Sequence, residues 1–186
     1  MPNIWLTSDW HFGHNQPFIW EARGFKSIEE MNEEIVKRHN NLVKEDDIVY
    51  ALGDCAMGTI DNLKYIEKLN GRLIIIRGNH DTDKRIQGYH KLKNVERVDW
   101  ADVLKYGGYR FHLTHYPTLT SNLDDGRDLK QKIIGLYAHT HQKTKFYQGN
   151  PLLYNVGMDS HNCYPVSIEE VINDIKKQAE DCIKYL

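Results

Sequence analysis

Apolar residues along this chain recur with two periods, and polar residues gather where one period gives way to the other. Asn3 to Ser8, Asp47 to Leu52 and Leu73 to Ile76 are short runs rich in Ile, Leu and Val, each reading as a buried strand that ends in a polar segment. Between the first two, Pro17 and Gly24 punctuate a loop-rich insertion holding Phe18, Trp20 and Phe25. Ser27 with Glu30 three residues later forms a capping box, and Ile28, Met31, Ile35, Val36 and Leu42 share one face, which predicts a helix to about Val43. Ile60, Leu63, Ile66 and Leu69 predict a second helix over Thr59 to Leu69, stopped by Asn70-Gly71. This β-α-β-α-β order calls for parallel strands joined by right-handed crossovers.

The second half has a different rhythm. Val95 to Val98, Val103 to Tyr106, Arg110 to Thr114, Ile133 to Ala138, Thr144 to Tyr147 and Leu152 to Val156 read as short strands. They are linked by turn residues such as Gly107-Gly108 and Gly149-Asn150-Pro151, which predicts an antiparallel part. Ser167 with Glu170 opens a last helix through Val171, Ile172, Ile175, Ala179 and Ile183 to the C-terminus. With no repeat, low-complexity tract or linker, residues 1–186 read as one domain. Burying all these strands calls for an α/β fold, a four-layer α/β/β/α sandwich with its site at one rim. The segment Thr118 to Lys132, containing Asp124-Asp125-Gly126-Arg127-Asp128, is long for a connection and reads as a solvated loop, or as one side of a substrate mouth.

Composition narrows the partners. The chain is 40% hydrophobic and 27% charged, ordinary for a globular protein, and no apolar run reaches the roughly 18 residues of a membrane span. Met1-Pro2-Asn3-Ile4-Trp5-Leu6 lacks a basic flank and a long apolar stretch, so a cytoplasmic location is expected. A net charge of −2, from 24 basic and 26 acidic residues, offers no general grip on nucleic acid. Cys55, Cys163 and Cys182 are widely spaced without a C-x-x-C, which argues against a thiolate zinc site; Cys55, beside a motif, reads as packing.

The chemistry lies in five polar segments, each following an apolar run: Asp9-Trp10-His11, Gly53-Asp54, Gly78-Asn79-His80-Asp81, His115, and His139-Thr140-His141. Each is weak alone, and the order is what makes them specific. From Asp9 to His141 the chain resembles the calcineurin-like metallophosphoesterase superfamily, whose pattern runs D-x-H, G-D, G-N-H-[D/E], H and G-H-x-H. The flanking stretches Thr7-Ser8-Asp9, Phe12-Gly13-His14-Asn15, His115-Tyr116-Pro117 and Asn155-Val156-Gly157-Met158-Asp159 resemble small single-domain phosphoesterases of bacteria and phages. Two departures stand out. Ala138 replaces a usual Gly, and Cys55-Ala56-Met57 lacks the polar side chain that many members carry after their G-D.

The resemblance implies the metallo-dependent phosphatase-like fold, two mixed sheets flanked by helices, and a binuclear metal centre. Carried over motif by motif, Asp9, His11, Asp54 and His141 hold one ion, and Asp54, Asn79, His115 and His139 the other, with Asp54 bridging. Oxygen and imidazole ligands suit divalent ions such as manganese, iron, nickel or zinc and do not choose among them; two such ions are expected, with manganese the leading candidate. Such a pair can share a hydroxide and clamp a phosphoryl centre in an in-line displacement. His80, flanked by ligands yet not one itself, is the candidate general acid, with Asp81 orienting it, meeting substrate, or standing simply as an exposed acid after a strand end. His14 and Asn15 are candidate phosphate contacts; local loop hydrogen bonding is the alternative for His14. Trp10 is expected to pack beside the site. His112 reads as structural, and His161 either approaches the site or makes a turn before Pro165.

The resulting expectation is hydrolysis of a phosphomonoester or phosphodiester, with a nucleotide or short oligonucleotide among the possible substrates. A nuclease for short or single-stranded nucleic acid is the alternative enzyme. A non-catalytic binding platform on the same fold is the alternative outside enzymes, and retention of His80 argues against it.

Overall fold

A computed structural model describes residues 2–123 and 126–183, so Met1, Asp124, Asp125 and the last three residues of the expected C-terminal helix lie outside it. Five strands form the first sheet in the order β4 (Val95–Asp99), β3 (Arg72–Ile76), β2 (Ile48–Ala51), β1 (Ile4–Thr7) and β9 (Val166–Ser167). The first four run parallel, and β9 pairs antiparallel to β1. Between them lie α1 (Pro17–Trp20), α2 (Ile28–Leu42), α3 (Leu63–Glu67) and α4 (Asp83–Tyr89). The second sheet orders β5 (Asp102–Tyr106), β6 (Tyr109–Leu113), β7 (Ile133–Tyr137) and β8 (Leu153–Asn155), and α5 (Ile168–Ile183) closes the chain. Two mixed sheets flanked by helices make the predicted four-layer α/β/β/α sandwich.

Side-chain alternation divides the apolar residues between two cores. Val49, Ala51, Leu73 and Ile75 point to the helical side, where they meet Met31, Ile35, Ile66 and Tyr89. Leu6, Tyr50, Leu52, Ile74 and Ile76 point to the other, against Phe111, Leu113, Ile134 and Leu136 of the second sheet and Val171 and Ile175 of α5. The serine half of each capping box forms: Ser27 Oγ accepts from the Glu30 amide at 3.1 Å, and Ser167 Oγ from the Glu170 amide at 3.1 Å, while the Glu30 carboxylate accepts from the Lys26 amide.

Four expectations are corrected. The strand at Val95 belongs to the first sheet, and α4 was not anticipated. The second sheet is antiparallel only between β5 and β6; β6–β7 and β7–β8 run parallel, because the long segments before β7 and β8 carry the chain back to the starting edge. Thr144 to Tyr147 is no strand. Lys145 is drawn to Glu170 and Asp174 of α5, and only Phe146 bridges to Tyr154. The helix expected over Thr59 to Leu69 is a 3₁₀ turn, Ile60–Asn62, followed by the short α3.

The described part of the Thr118 to Lys132 segment is pinned down rather than free. Lys132, buried, donates to the carbonyls of Asn122 and Leu123, and Thr120 Oγ1 donates to the Ile133 carbonyl. With α5 it walls a recess of about 830 Å³ that contains none of the motif residues. No helix among the described residues is long and apolar enough to cross a membrane.

Candidate functional site

Five parallel-running strands, β1, β2 and β3 of one sheet and β6 and β7 of the other, deliver the motif segments from their C-terminal ends to one rim. The segments are tied to each other by main-chain bonds, Asp9 N to Gly53 O at 3.0 Å, His11 N to Asp54 O at 3.1 Å and Ala138 N to His115 O at 3.0 Å. Close approach explains the glycines. A Cβ on Gly53, whose φ is +95°, would meet the Gly78 amide at 2.6 Å, and one on Gly78 would meet Asp54 Oδ1 at 2.3 Å. Ala138 is not among the residues with positive φ, so its methyl is tolerated at the position where the motif pattern has glycine.

Two groups of side chains converge. One ligand atom each from Asp9, His11 and His141 lies within 4.8 Å of the others, and the same holds for Asp54, His115 and His139. Asp54 Oδ2 faces both, 3.8 Å from His11 Nε2 and 3.4 Å from His115 Nε2. Asn79 Oδ1 lies 3.0 Å, and His139 Nδ1 3.2 Å, from His115 Nε2. Two nitrogens about 2.1 Å from one ion at roughly tetrahedral or right angles stand about 3.0 to 3.4 Å apart, so these separations fit a shared cation.

The donor set fits divalent ions on a second count. Asp9 Oδ1 and His11 Nε2 are buried without a hydrogen-bond partner. Burial, chiefly, raises the Asp9 carboxyl to about 6 and pushes His11 well below its ordinary value, which keeps its imidazole in the neutral, ligating form. Against burial, the His115 hydrogen bond and charge hold Asp54 at about 2. Other atoms orient the rings. His115 Nδ1 donates to the Leu52 carbonyl at 2.6 Å, and His14 Nδ1 meets His11 Nδ1 at 3.1 Å, leaving each Nε2 directed inward.

The backbone here is strained. Asp9, His11, Asp54, His139 and His141 have φ of 55°, 52°, 52°, 68° and 51°, the left-handed region that L residues other than Gly seldom enter.

The remaining candidates separate. His80 is exposed beside the two groups, its ring centroid 5.7 Å from that of His11 and 6.4 Å from that of His14, and its amide donates to Asp54 Oδ1 at 2.8 Å. His14 makes the expected local bond and also lines a recess with His80. Asn15 is exposed, with its amide on the Gly13 carbonyl. Asp81, expected at substrate or at the His80 ring, is a correction. Its buried carboxylate accepts from the amides of Asp54, Cys55 and Gly78 and from the Tyr89 hydroxyl, at 2.8, 3.2, 2.9 and 2.6 Å, so it ties two ligand loops together from beneath. His161 bonds the Asn155 carbonyl, away from the ligands, while Trp10 packs on Phe12 in the core and Cys55 is buried under the loop.

One constellation escaped the sequence. Arg23 donates to the carbonyls of Asp9 at 2.9 Å and Trp10 at 3.3 Å, and pairs with both oxygens of Asp159 at 3.0 and 2.9 Å. Asp159 Oδ2 in turn lies 2.8 Å from His141 Nδ1. Asp159 sits in a stretch the sequence singles out, but Arg23 carries no motif, and its partner lies 136 positions away.

The calcineurin-like phosphoesterase superfamily domain matches residues 3–177. An uncharacterized protein of Methanocaldococcus jannaschii is 32% identical, covering 95% of this chain and 93% of its own. The Gene 66 protein of Mycobacterium phage D29 is 28% identical, over 95% of this chain and 99% of its own. A solved structure from Aquifex aeolicus, of a protein of unknown function, has the same fold, with a TM-score of 0.67 and 20% identity over 93% of this chain and 99% of its own. The chain belongs to the calcineurin-like phosphoesterase superfamily and is a hydrolytic enzyme.

Proposed function

We propose that this phosphoesterase hydrolyses small phosphoesters with two divalent ions, manganese foremost, held by the two groups of side chains that share Asp54. Asp9, His11, Asp54 and His141 are the ligands of one ion, and Asp54, Asn79, His115 and His139 of the other. The observation that carries this is the position of Asp54 Oδ2, facing His11 Nε2 at 3.8 Å and His115 Nε2 at 3.4 Å from opposite groups. Two ions so held would supply an activated water and the positive charge that an in-line displacement at phosphorus needs.

The chain's own residues do the rest. Asp159 accepts from His141 Nδ1 and fixes its tautomer, and Arg23 holds Asp159 while clamping the Asp9 and Trp10 carbonyls. Losing such a positioning carboxylate costs about 10- to 100-fold in metal affinity. His80 stands at the open side of the site, where it can protonate the departing oxygen. Hydrolysis then balances: the attacking water gives one proton to solvent and its oxygen joins phosphorus, the P–O bond to the alcohol breaks, the alcohol leaves with the proton from His80, and His80 regains a proton from solvent. The net charge of −2 offers no general grip on a long polyanion, which favours small substrates over the nuclease alternative.

The test is metal analysis of protein purified without chelator, with turnover of a chromogenic phosphodiester. About two ions per chain are expected. Asp54→Ala should lower occupancy at both positions, and Asp9→Ala mainly at one. A folded protein that takes up no metal after manganese or nickel is added overturns the assignment.

A further inference from the structure

Beside the His11 and His141 group the rim opens into a recess of about 530 Å³, inside the roughly 300 to 1,000 Å³ range of small-molecule sites. Its wall on one side is apolar, Phe18 and Ile19 of α1 with Ala22 and Met57; His80 and His14 stand on the side toward the ligands, and Lys143 at the rim. Phe18 is 66% exposed, and its ring makes a T-shaped contact with that of His14, with centroids 5.7 Å apart. The Lys143 ammonium makes no ion pair among the described residues. This wall has a fixed distance from the chemistry, because the α1 segment leads directly to Arg23, which is bonded to the carbonyls of Asp9 and Trp10.

We infer that this recess receives the leaving alcohol of the substrate and selects one that carries a flat aromatic ring and a negative charge, the chemistry of a nucleoside joined to a further phosphate. The inference rests on the phosphoesterase reading above, and three observations take it further. The alcohol must depart toward the acid that protonates it, and His80 is a lining residue of the recess. An exposed phenyl face with apolar neighbours has little to offer a polyol but stacks on any base. Among the described residues that line the recess, Lys143 is the one Lys or Arg, which suits one anion and not a polymer of them. The occupant is thus a short phosphodiester, such as a dinucleotide, in preference to a sugar phosphate or a phosphoprotein.

Two measurements test this. In the first, kcat/KM of the manganese-loaded protein is compared for a dinucleoside phosphate bearing a terminal phosphate on the leaving nucleoside and for the methyl ester of the same nucleotide, whose leaving alcohols are similarly basic. The dinucleotide should be preferred. Phe18→Ala should cut that preference by about 5- to 150-fold, the usual worth of one base stacked on an aromatic side chain, and Lys143→Ala should cut it less. In the second, metal-free protein is titrated with adenosine 5′-monophosphate while the methyl resonances of Met57 and Ile19 are followed. Saturable shifts that Phe18→Ala abolishes are expected. Equal handling of both esters, with Met57 and Ile19 unmoved, overturns the recess assignment and leaves the phosphoesterase reading standing. No turnover of either ester by metal-loaded protein sinks that reading and this assignment with it.

Discussion

At the scale of single residues, the site brings together ligands in unfavourable backbone conformations and an acid, His80, whose amide is bonded to Asp54 while its ring stands apart, with its centroid 5.7 Å from that of His11. His80→Asn should leave both ions bound and slow turnover by about 10² to 10⁴, the usual worth of a positioned general acid. The loss should be large for an alkyl or ribose leaving oxygen and small for nitrophenolate, which departs without a proton. Loss of metal in this variant, or equal losses on both kinds of ester, would remove His80 from that role. Backbone strain gives a second expectation. His139 is held at a φ of 68°, a conformation glycine adopts without cost and other residues at roughly 1 to 3 kcal/mol. His139→Gly should therefore make the metal-free protein more stable in urea by up to about 1 kcal/mol, after allowing for glycine's greater unfolded-state entropy, while weakening metal uptake. A metal-free variant less stable than the wild type would mean that the ring's packing outweighs the strain. The motif residues that converge were all visible in the sequence, because ligand chemistry restricts residue type. The φ values, Arg23 and the four-donor role of Asp81 were not, since each depends on contacts between segments far apart in the chain.

At the scale of elements, α2 contributes more than an apolar face. His39 on that helix is fully buried, with Nε2 donating to the Asn70 carbonyl at 2.9 Å and Nδ1 unpartnered, and burial pushes its pKa down to about 4 from 6.5. The unfolded chain therefore takes up this proton first. Stability from His39 is complete above pH 6.5 and drains away as pH falls toward 4, by an amount on the order of 3 kcal/mol. His39→Gln keeps an N–H for Asn70 and removes the titration. Urea unfolding of metal-free protein at pH 7.5 and 4.5 should give the variant the smaller drop between the two; identical drops would refute a neutral buried His39. Capping boxes and helical periodicity made α2 and α5 readable. The second sheet was misread because turn residues mark where strands end and say nothing of direction. Direction matters to the site: with β6 and β7 parallel, His115 and His139 leave from the same edge, whereas an antiparallel pair would have sent them to opposite rims.

At the scale of the whole molecule, charge and shape point the same way. The net charge of −2 leaves no broad positive field, and among the described residues the cations near the site are local: Arg23 is paired with Asp159, Arg85 donates to the carbonyls of His80 and Gly58, and Lys143 lines the recess. A protein that grips a polynucleotide neutralises many phosphates, so its affinity falls steeply with salt; here only one or two such contacts are available. Turnover of a short diester should accordingly decline by less than about tenfold between 50 and 200 mM salt, and at either salt should exceed, per bond, the turnover of long duplex DNA. Both quantities come from one set of initial rates with manganese at fixed concentration. Rapid cleavage of long duplex at 200 mM salt would require a cationic track that neither the charge balance nor the rim around Asp54 provides, and the preference for small phosphoesters would have to be given up in favour of a nuclease.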